Sequence, residues 1–396
     1  MATSTESLAL LRMLGLRPVI NAMGSASRLG GSVLSPEVRA AMDAAAQYFV
    51  PLDEMQERAS QIIAEVTGAE AGCIASGAAA CLFLGTVACM AGEDRAAMDR
   101  LPGTAGLRDE VAIHRAHRNP YDHVVRATGS RLVEFGYLTR SGGVGTYRWQ
   151  LEAALTPRTA AVYYLLGAPE QVLPLPTVVE IAHERGIPVV VDAAAVGSPH
   201  DLRRLIADGP DLLAVSGGKA IAGPAASGFL AGRRDLIRSA TMQQQDMFVY
   251  PALWLEPMGS GEGPAEPPHQ GLGRAMKVGR EEVAGLMVAL QQWATRDVDG
   301  ERSRALEVSD RIVGSLAGLD DVEATVVRDA GTGVGVVLQF LSPGAAMRAA
   351  KELQEGQPRV FVVPMSIPQA RLGISPQNIR ADELELLIER LRSVLA

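Results

Sequence analysis

Aromatic side chains make up only 4% of this 396-residue chain, and lysine/arginine clusters are missing altogether. The formal net charge is −8, from 45 acidic and 37 basic residues. With no basic patch or arm, nucleic acid is not expected as a direct partner. Cysteine is equally sparse. Cys73, Cys81 and Cys89 are odd in number and have no metal-ligand spacing, so neither a disulfide framework nor a thiolate metal site is expected. Their spacing of eight in Ala-rich sequence points instead to packing along a strand and a helix. Six histidines are scattered, and His114-x-x-His117 lacks a third ligand at metal spacing, so no metal is expected. No apolar run reaches the ~18 residues of a membrane span. The start, MATSTESLALLRMLG, is a short amphipathic stretch without a basic n-region or cleavage site. The expectation is a soluble, cytoplasmic protein with no membrane contact. What the chain does have is length and apolar content: 47% of its residues are hydrophobic. That is enough for about two to three domains and a core that needs no staple.

Through the middle of the sequence, short apolar runs alternate with amphipathic stretches. EAGCIAS, DEVAIHR, RLVEFGY, TAAVYYLL, IPVVVDAAA, DLLAVSGG and SGFLAG each precede or follow a helical pattern. Runs that are β-branched and lack alternation predict a mostly parallel sheet covered on both faces. Such sheets gather ligand chemistry at the carboxyl ends of their strands. Residues 256–273 are crowded with Gly and Pro and read as a long loop, followed by a helix in KVGREEVAGLMVALQQWATRD. From about residue 300 the character changes. VEATVVRD, GVGVVLQFL, PRVFVVP and a terminal helix in ADELELLIERLRSVLA predict a small α+β domain. The expected division is an N-terminal segment at 1–35, a large domain at 36–290 and a small one at 291–396.

Three separated elements carry chemistry. Ser76-Gly77-Ala78 stands at a strand-to-helix junction, where small residues let amides and a helix N-terminus approach a phosphate; an ordinary Ala-rich helix start is the plainer alternative. Asp192 closes VVVD, and a buried carboxylate needs compensation. Lys219 follows in SGGK, with Ser216 three residues ahead, and a lysine in such a crevice can form a Schiff base with an aldehyde. The plainer alternative is that Asp192 and Lys219 are solvated loop residues just past their strands.

The order of these elements resembles fold-type I enzymes that use pyridoxal 5′-phosphate (PLP). VINAMGSASRLGGSVLSPEV, TGAEAGCIASGAAAC, IPVVVDAAA, DLLAVSGGKAIAGPAASGFLAGRRDLI and GRAMKVGREEVAGLM resemble, in that order, the selenocysteine synthase-like branch. Within it they look most like the D-glucosaminate-6-phosphate ammonia-lyase group. The similarity runs from about residue 18 to 290 and returns at RLGISPQNIRADE. The resemblance implies a mostly parallel seven-stranded α/β domain with a smaller α+β domain, working as a homodimer or higher oligomer on a small amino-acid substrate. It implies that Lys219 carries PLP and moves the α-proton, that Asp192 pairs with the pyridine nitrogen, and that Ser76, Gly77, Ala78 and Ser216 hold the phosphate. His117, in HRAHRNPYDH, would stack on the ring, with His114 and His123 as competitors. Arg274, Lys277 and Arg280 would reach an active site, their own or one across a dimer interface, or else form a solvated helix face. Arg371 would clamp the substrate carboxylate, with Arg380 as its rival. The implied reaction is α,β-elimination with release of ammonia. Racemisation, aldol cleavage, a selenocysteine synthase-like transfer and a silent binding subunit are the alternatives. The stretch MQQQDMFVYPALWLEPMGSGEGPAEPPHQ departs from the family and carries Phe248, Tyr250 and Trp254, which leaves the substrate open.

Overall fold

The computed structural model describes residues 4–137, 145–167, 172–244, 250, 253–254, 266–329 and 333–396. Phe248 and most of the Gly/Pro loop, at 255–265, lie outside the described residues. In chain order, a three-residue strand β1 (Ile20–Ala22) comes first. Seven strands follow: β2 (Ala71–Ala75), β3 (Glu110–His114), β4 (Arg131–Phe135), β5 (Thr159–Leu165), β6 (Val189–Asp192), β7 (Leu212–Ser216) and β8 (Gly228–Gly232). The last four are β9 (Val322–Asp329), β10 (Gly333–Phe340), β11 (Val360–Ser366) and β12 (Arg371–Ile374). The chain divides into two compact units, 34–296 and 1–33 with 297–396.

The larger unit is built on a seven-stranded sheet in the order β2-β8-β7-β6-β5-β3-β4. β8 runs antiparallel to both its neighbours, and the other adjacent strands are parallel. The apolar runs lack alternation because both faces are buried. Val190, Leu212, Ala214 and Leu230 pack with Cys81, Leu84 and Ala88 of the helix Ala78–Ala91. Val189, Val191, Leu213 and Val215, on the opposite face, pack with Ile63, Val178, Leu202 and Leu286. Those four come from the helices Leu52–Thr67, Leu175–His183, Pro199–Ala207 and Arg280–Ala294. All three cysteines are free thiols on or beside this sheet, and burial pushes the Cys73 thiol up to about 12.

The smaller unit holds a five-stranded sheet, β1-β11-β12-β10-β9. β1 pairs in parallel with β11 through Ile20 opposite Val360, so residues before position 34 complete the sheet of the C-terminal unit. Its core joins Ile20 and Ala22 to Val360, Leu372 and Leu387, the last from the helix Leu384–Leu395. Among the described residues, no helix is long and apolar enough to cross a membrane.

Candidate active site

Strand register brings the sequence motifs of the large unit to one edge of its sheet. Asp192 pairs with Leu165 on one side and Ala214 on the other, so β6 ends on it at the middle of β7. Two residues further along β7, Ser216 lies opposite Gly228, and across β8 Gly228 lies opposite Ala75. Ser76 and Gly77 then lead into the helix Ala78–Ala91. Asp192, Ser216 and the Ser76-Gly77-Ala78 turn therefore share the carboxyl edge of the parallel strands, where open α/β sheets bind ligands.

At that edge the helix start is shaped by glycines. Gly77 caps the helix with φ 108° and ψ 168°, a backbone state that L side chains rarely adopt. Gly228 lies directly beneath. A Cβ there would stand 2.6 Å from the Gly77 carbonyl carbon and 2.7 Å from the Ala78 nitrogen. The first amides of the Ala78–Ala91 helix have no intrahelical acceptor, and their dipole favours an anion. Ser76 is exposed, and its amide and hydroxyl both donate to the Met276 carbonyl at 3.4 Å, a carbonyl that also accepts from Gln244 at 2.9 Å.

Asp192 is 6% exposed. Its Oδ2 accepts from the Tyr163 hydroxyl at 2.9 Å and its Oδ1 from the Ala194 amide at 3.1 Å, both uncharged donors. Asp211, at the other end of the strands, shows the contrast. It is buried too, but is bound to Arg233 at 2.9 Å, His183 at 2.8 Å and the Val189 amide at 2.7 Å. Asp211 is a structural clamp. Asp192, among the described residues, is held by neutral donors alone, and a buried carboxylate so placed is suited to a cationic ligand.

Lys219 is half-buried in the turn that follows β7. The two preceding glycines are sterically required: a Cβ on Gly217 would lie 2.8 Å from Leu286 Cδ1, and one on Gly218 2.8 Å from Ala225 Cα. Backbone bonds from Gly217 to the Ser227 carbonyl (2.9 Å) and from Gly223 to the Gly217 carbonyl (2.8 Å) close the loop around the lysine.

His117 is enclosed. It is 1% exposed, stands edge-on to Tyr164 with centroids 4.7 Å apart, and its Nε2 has no hydrogen-bond partner. Burial, and secondarily His114, lowers its pKa to about 4, so it is neutral at physiological pH. His114 is buried as well, with Nε2 and the Thr146 hydroxyl 2.5 Å apart. Of the arginines, Arg280 is engaged locally: it bonds Glu281 (3.1 Å) and the Ala46 carbonyl (3.0 Å) and lies 4.5 Å from the Phe49 ring centroid. Arg274 is half-buried in the turn Leu272–Met276. Arg371 belongs to the smaller unit, where its Nε donates to the neutral Gln339 at 2.8 Å, whereas Arg380 is tied to Asp382 and Glu383. Tyr163 and Gly228 were not singled out from the sequence. Tyr163 sits inside an apolar run, and nothing in a single sequence shows that its hydroxyl meets Asp192.

The family described as "SelA: L-seryl-tRNA selenium transferase" matches residues 19–248. A 5′-C-glycyluridine monooxygenase-decarboxylase from Streptomyces sp is 31% identical over 96% of this chain and 91% of its own. A D-glucosaminate-6-phosphate ammonia lyase from Salmonella typhimurium is 29% identical over 97% of each chain. A solved D-glucosaminate-6-phosphate ammonia-lyase structure superposes with a TM-score of 0.80 at 27% identity, covering 98% of both chains. Serine palmitoyltransferase with bound PLP shares the fold, at a TM-score of 0.56 and 13% identity. The residues at the sheet edge fit that cofactor: a helix start that a single Cβ would crowd for its phosphate, a neutral-donor carboxylate for its ring nitrogen and a lysine for its aldehyde. This chain belongs to the SelA family, with the fold of type I PLP-dependent enzymes, and is itself a PLP enzyme.

Proposed function

We propose that the protein is an ammonia lyase that takes the α-proton from a small amine-bearing acid, expels a β-substituent and releases ammonia. The observation that carries this reading is the register that aligns Asp192, Ser216 and the Gly77 helix start at one sheet edge, taken with the full-length similarity to an ammonia lyase. PLP, when bound, supplies an electron-accepting ring that stabilises negative charge at the α-carbon. Lys219 holds the cofactor and then moves the proton at that carbon. Asp192 maintains positive charge at the pyridine nitrogen. The phosphate is bound by the Ala78 amide at the helix start and by the Ser76 and Ser216 hydroxyls, around Gly77, whose own amide and that of Ser76 are held by the Ala75 and Met276 carbonyls. His117 covers the ring, which requires its imidazole to turn out of its present enclosure. The substrate carboxylate calls for a guanidinium without a carboxylate partner of its own, a condition that Arg280, bonded to Glu281, does not meet. The working form is a homodimer or higher oligomer in the cytoplasm.

The comparable similarity to a monooxygenase-decarboxylase favours a second reading, in which carbon dioxide leaves and oxygen is consumed. One experiment separates them. The PLP-loaded protein is incubated with amino acids and phosphorylated amino-sugar acids while ammonia, 2-oxo acid, CO2 and O2 are followed. Ammonia with a 2-oxo acid and no oxygen uptake supports the lyase. Oxygen-dependent CO2 release overturns it, as does α-proton exchange in D2O without any bond cleavage.

A further inference from the structure

β5 and β6 are parallel neighbours with Leu165 opposite Asp192. Tyr163, two residues before Leu165, points to the same face of the sheet as Val190 and the helix Ala78–Ala91. It is 2% exposed, and its ring lies along that face so that the hydroxyl reaches Asp192 Oδ2 at 2.9 Å. The Ala194 amide holds Oδ1 at 3.1 Å. Each carboxylate oxygen therefore has one fixed donor, which locks the rotation of the group and leaves its remaining lone pairs for a ligand.

We propose that Tyr163 is a positioning residue for the cofactor ring: its hydroxyl fixes the Asp192 carboxylate and aims it at the pyridine nitrogen. The inference rests on the reading that Asp192 pairs with that nitrogen. A carboxylate free to rotate would offer the ring nitrogen a changing set of lone pairs, whereas one held at both oxygens keeps the same acceptor aimed at the ring. The phenol is a dependable donor, because burial and then the Asp192 charge hold its own pKa well above the usual tyrosine value, against the pull of the Asn119 side chain. Tyr163 therefore neither gives up its proton nor acts as a base. It acts through Asp192 alone.

The experiment uses PLP labelled with 15N in the ring, reconstituted into wild-type, Tyr163→Phe and Asp192→Asn proteins. The ring-nitrogen chemical shift reports protonation, and fluorescence titration of the apo-protein gives PLP affinity. The expected result for Tyr163→Phe is a shift toward the unprotonated position and about tenfold weaker PLP binding, the loss of one hydrogen bond to a charged group. Difluorotyrosine placed at position 163 is a stronger donor of nearly the same volume and should move the nitrogen signal toward the protonated position. It decides the matter if Tyr163→Phe does not fold. Wild-type nitrogen signals with both Tyr163 replacements, alongside a shifted signal in Asp192→Asn, overturn the role of Tyr163 and leave the Asp192 reading intact. An unshifted signal in Asp192→Asn removes the reading beneath it.

Discussion

Alanine at Gly228 should loosen the phosphate cradle more than it harms the fold. The new Cβ would stand 2.6 Å from the Gly77 carbonyl carbon, 2.7 Å from the Ala78 nitrogen and 2.7 Å from the Val215 oxygen. All three are backbone atoms, so no side chain can swing aside. Carbon contacts settle near ~3.5–4.0 Å, and relief therefore requires the helix start or β8 to move by about 1 Å. Overpacking of this kind costs about 1–3 kcal/mol, seen as a melting-temperature fall of roughly 2–4 °C per kcal/mol in a unit of this size. The larger effect falls on PLP. Amides displaced by that distance lose at least one charge-assisted hydrogen bond to the phosphate, and affinity drops about 10–100-fold. Apo-protein is titrated with PLP by fluorescence, with inorganic phosphate as competitor and a thermal melt in parallel. Gly314→Ala is the control, because nothing lies within 4 Å of a Cβ at that helical position. A folded Gly228→Ala protein with wild-type PLP affinity would refute the placement of the phosphate at this helix.

Lys219→Ala should abolish turnover and leave PLP non-covalently bound. The chain has three lysines, Lys219, Lys277 and Lys351, so borohydride reduction and peptide mapping of the wild type give an unambiguous answer, and a label on either of the others ends the assignment. Asp192→Asn should still bind PLP but turn over slower by orders of magnitude, measured as kcat; a near-wild-type rate would show that the carboxylate does not face the ring nitrogen. His117, with its pKa lowered to about 4, binds a proton more readily unfolded than folded. Its contribution to stability is complete above the ordinary histidine pKa near ~6.5 and is lost as pH falls from there toward 4, by up to about 3 kcal/mol. Urea denaturation at pH 7 and pH 4.5 should show that loss in the wild type and a smaller one in His117→Gln; equal losses would disprove it.

The large sheet was legible because its strands, apart from the edge strand β4, are runs largely buried on both sides, and such runs need no alternation to stand out. Asp192 and Lys219 were legible for the same reason, as polar residues that break an apolar pattern at its end. What escaped the sequence is whatever depends on register. β1 has three residues and β12 has four, too short for any periodicity to announce them. Gly228 matters only because Ala75 and Ser216 flank it across the sheet, and strand order is not written in one strand. Tyr163 reads as one more apolar residue of TAAVYYLL, since a tyrosine's face packs like phenylalanine and only its tip carries the information. His117 was singled out by its motif, but its enclosure against Tyr164 follows from packing that the motif does not encode.

The pairing of β1 with β11 bears on the order of folding. Ile20 leaves the ribosome before Val360, its partner, is made, and the contact between them spans nearly the whole chain. Closing so long a loop costs entropy before any contact repays it. The unit at 34–296 draws all its strands from within itself and can mature as a cooperative block while the first 33 residues wait. Until β11 emerges, the apolar Ile20 and Ala22 have no sheet to join. A deletion that removed β1 would spare the larger block and replace a three-residue edge strand with the seven-residue edge of β11, a longer template for self-association.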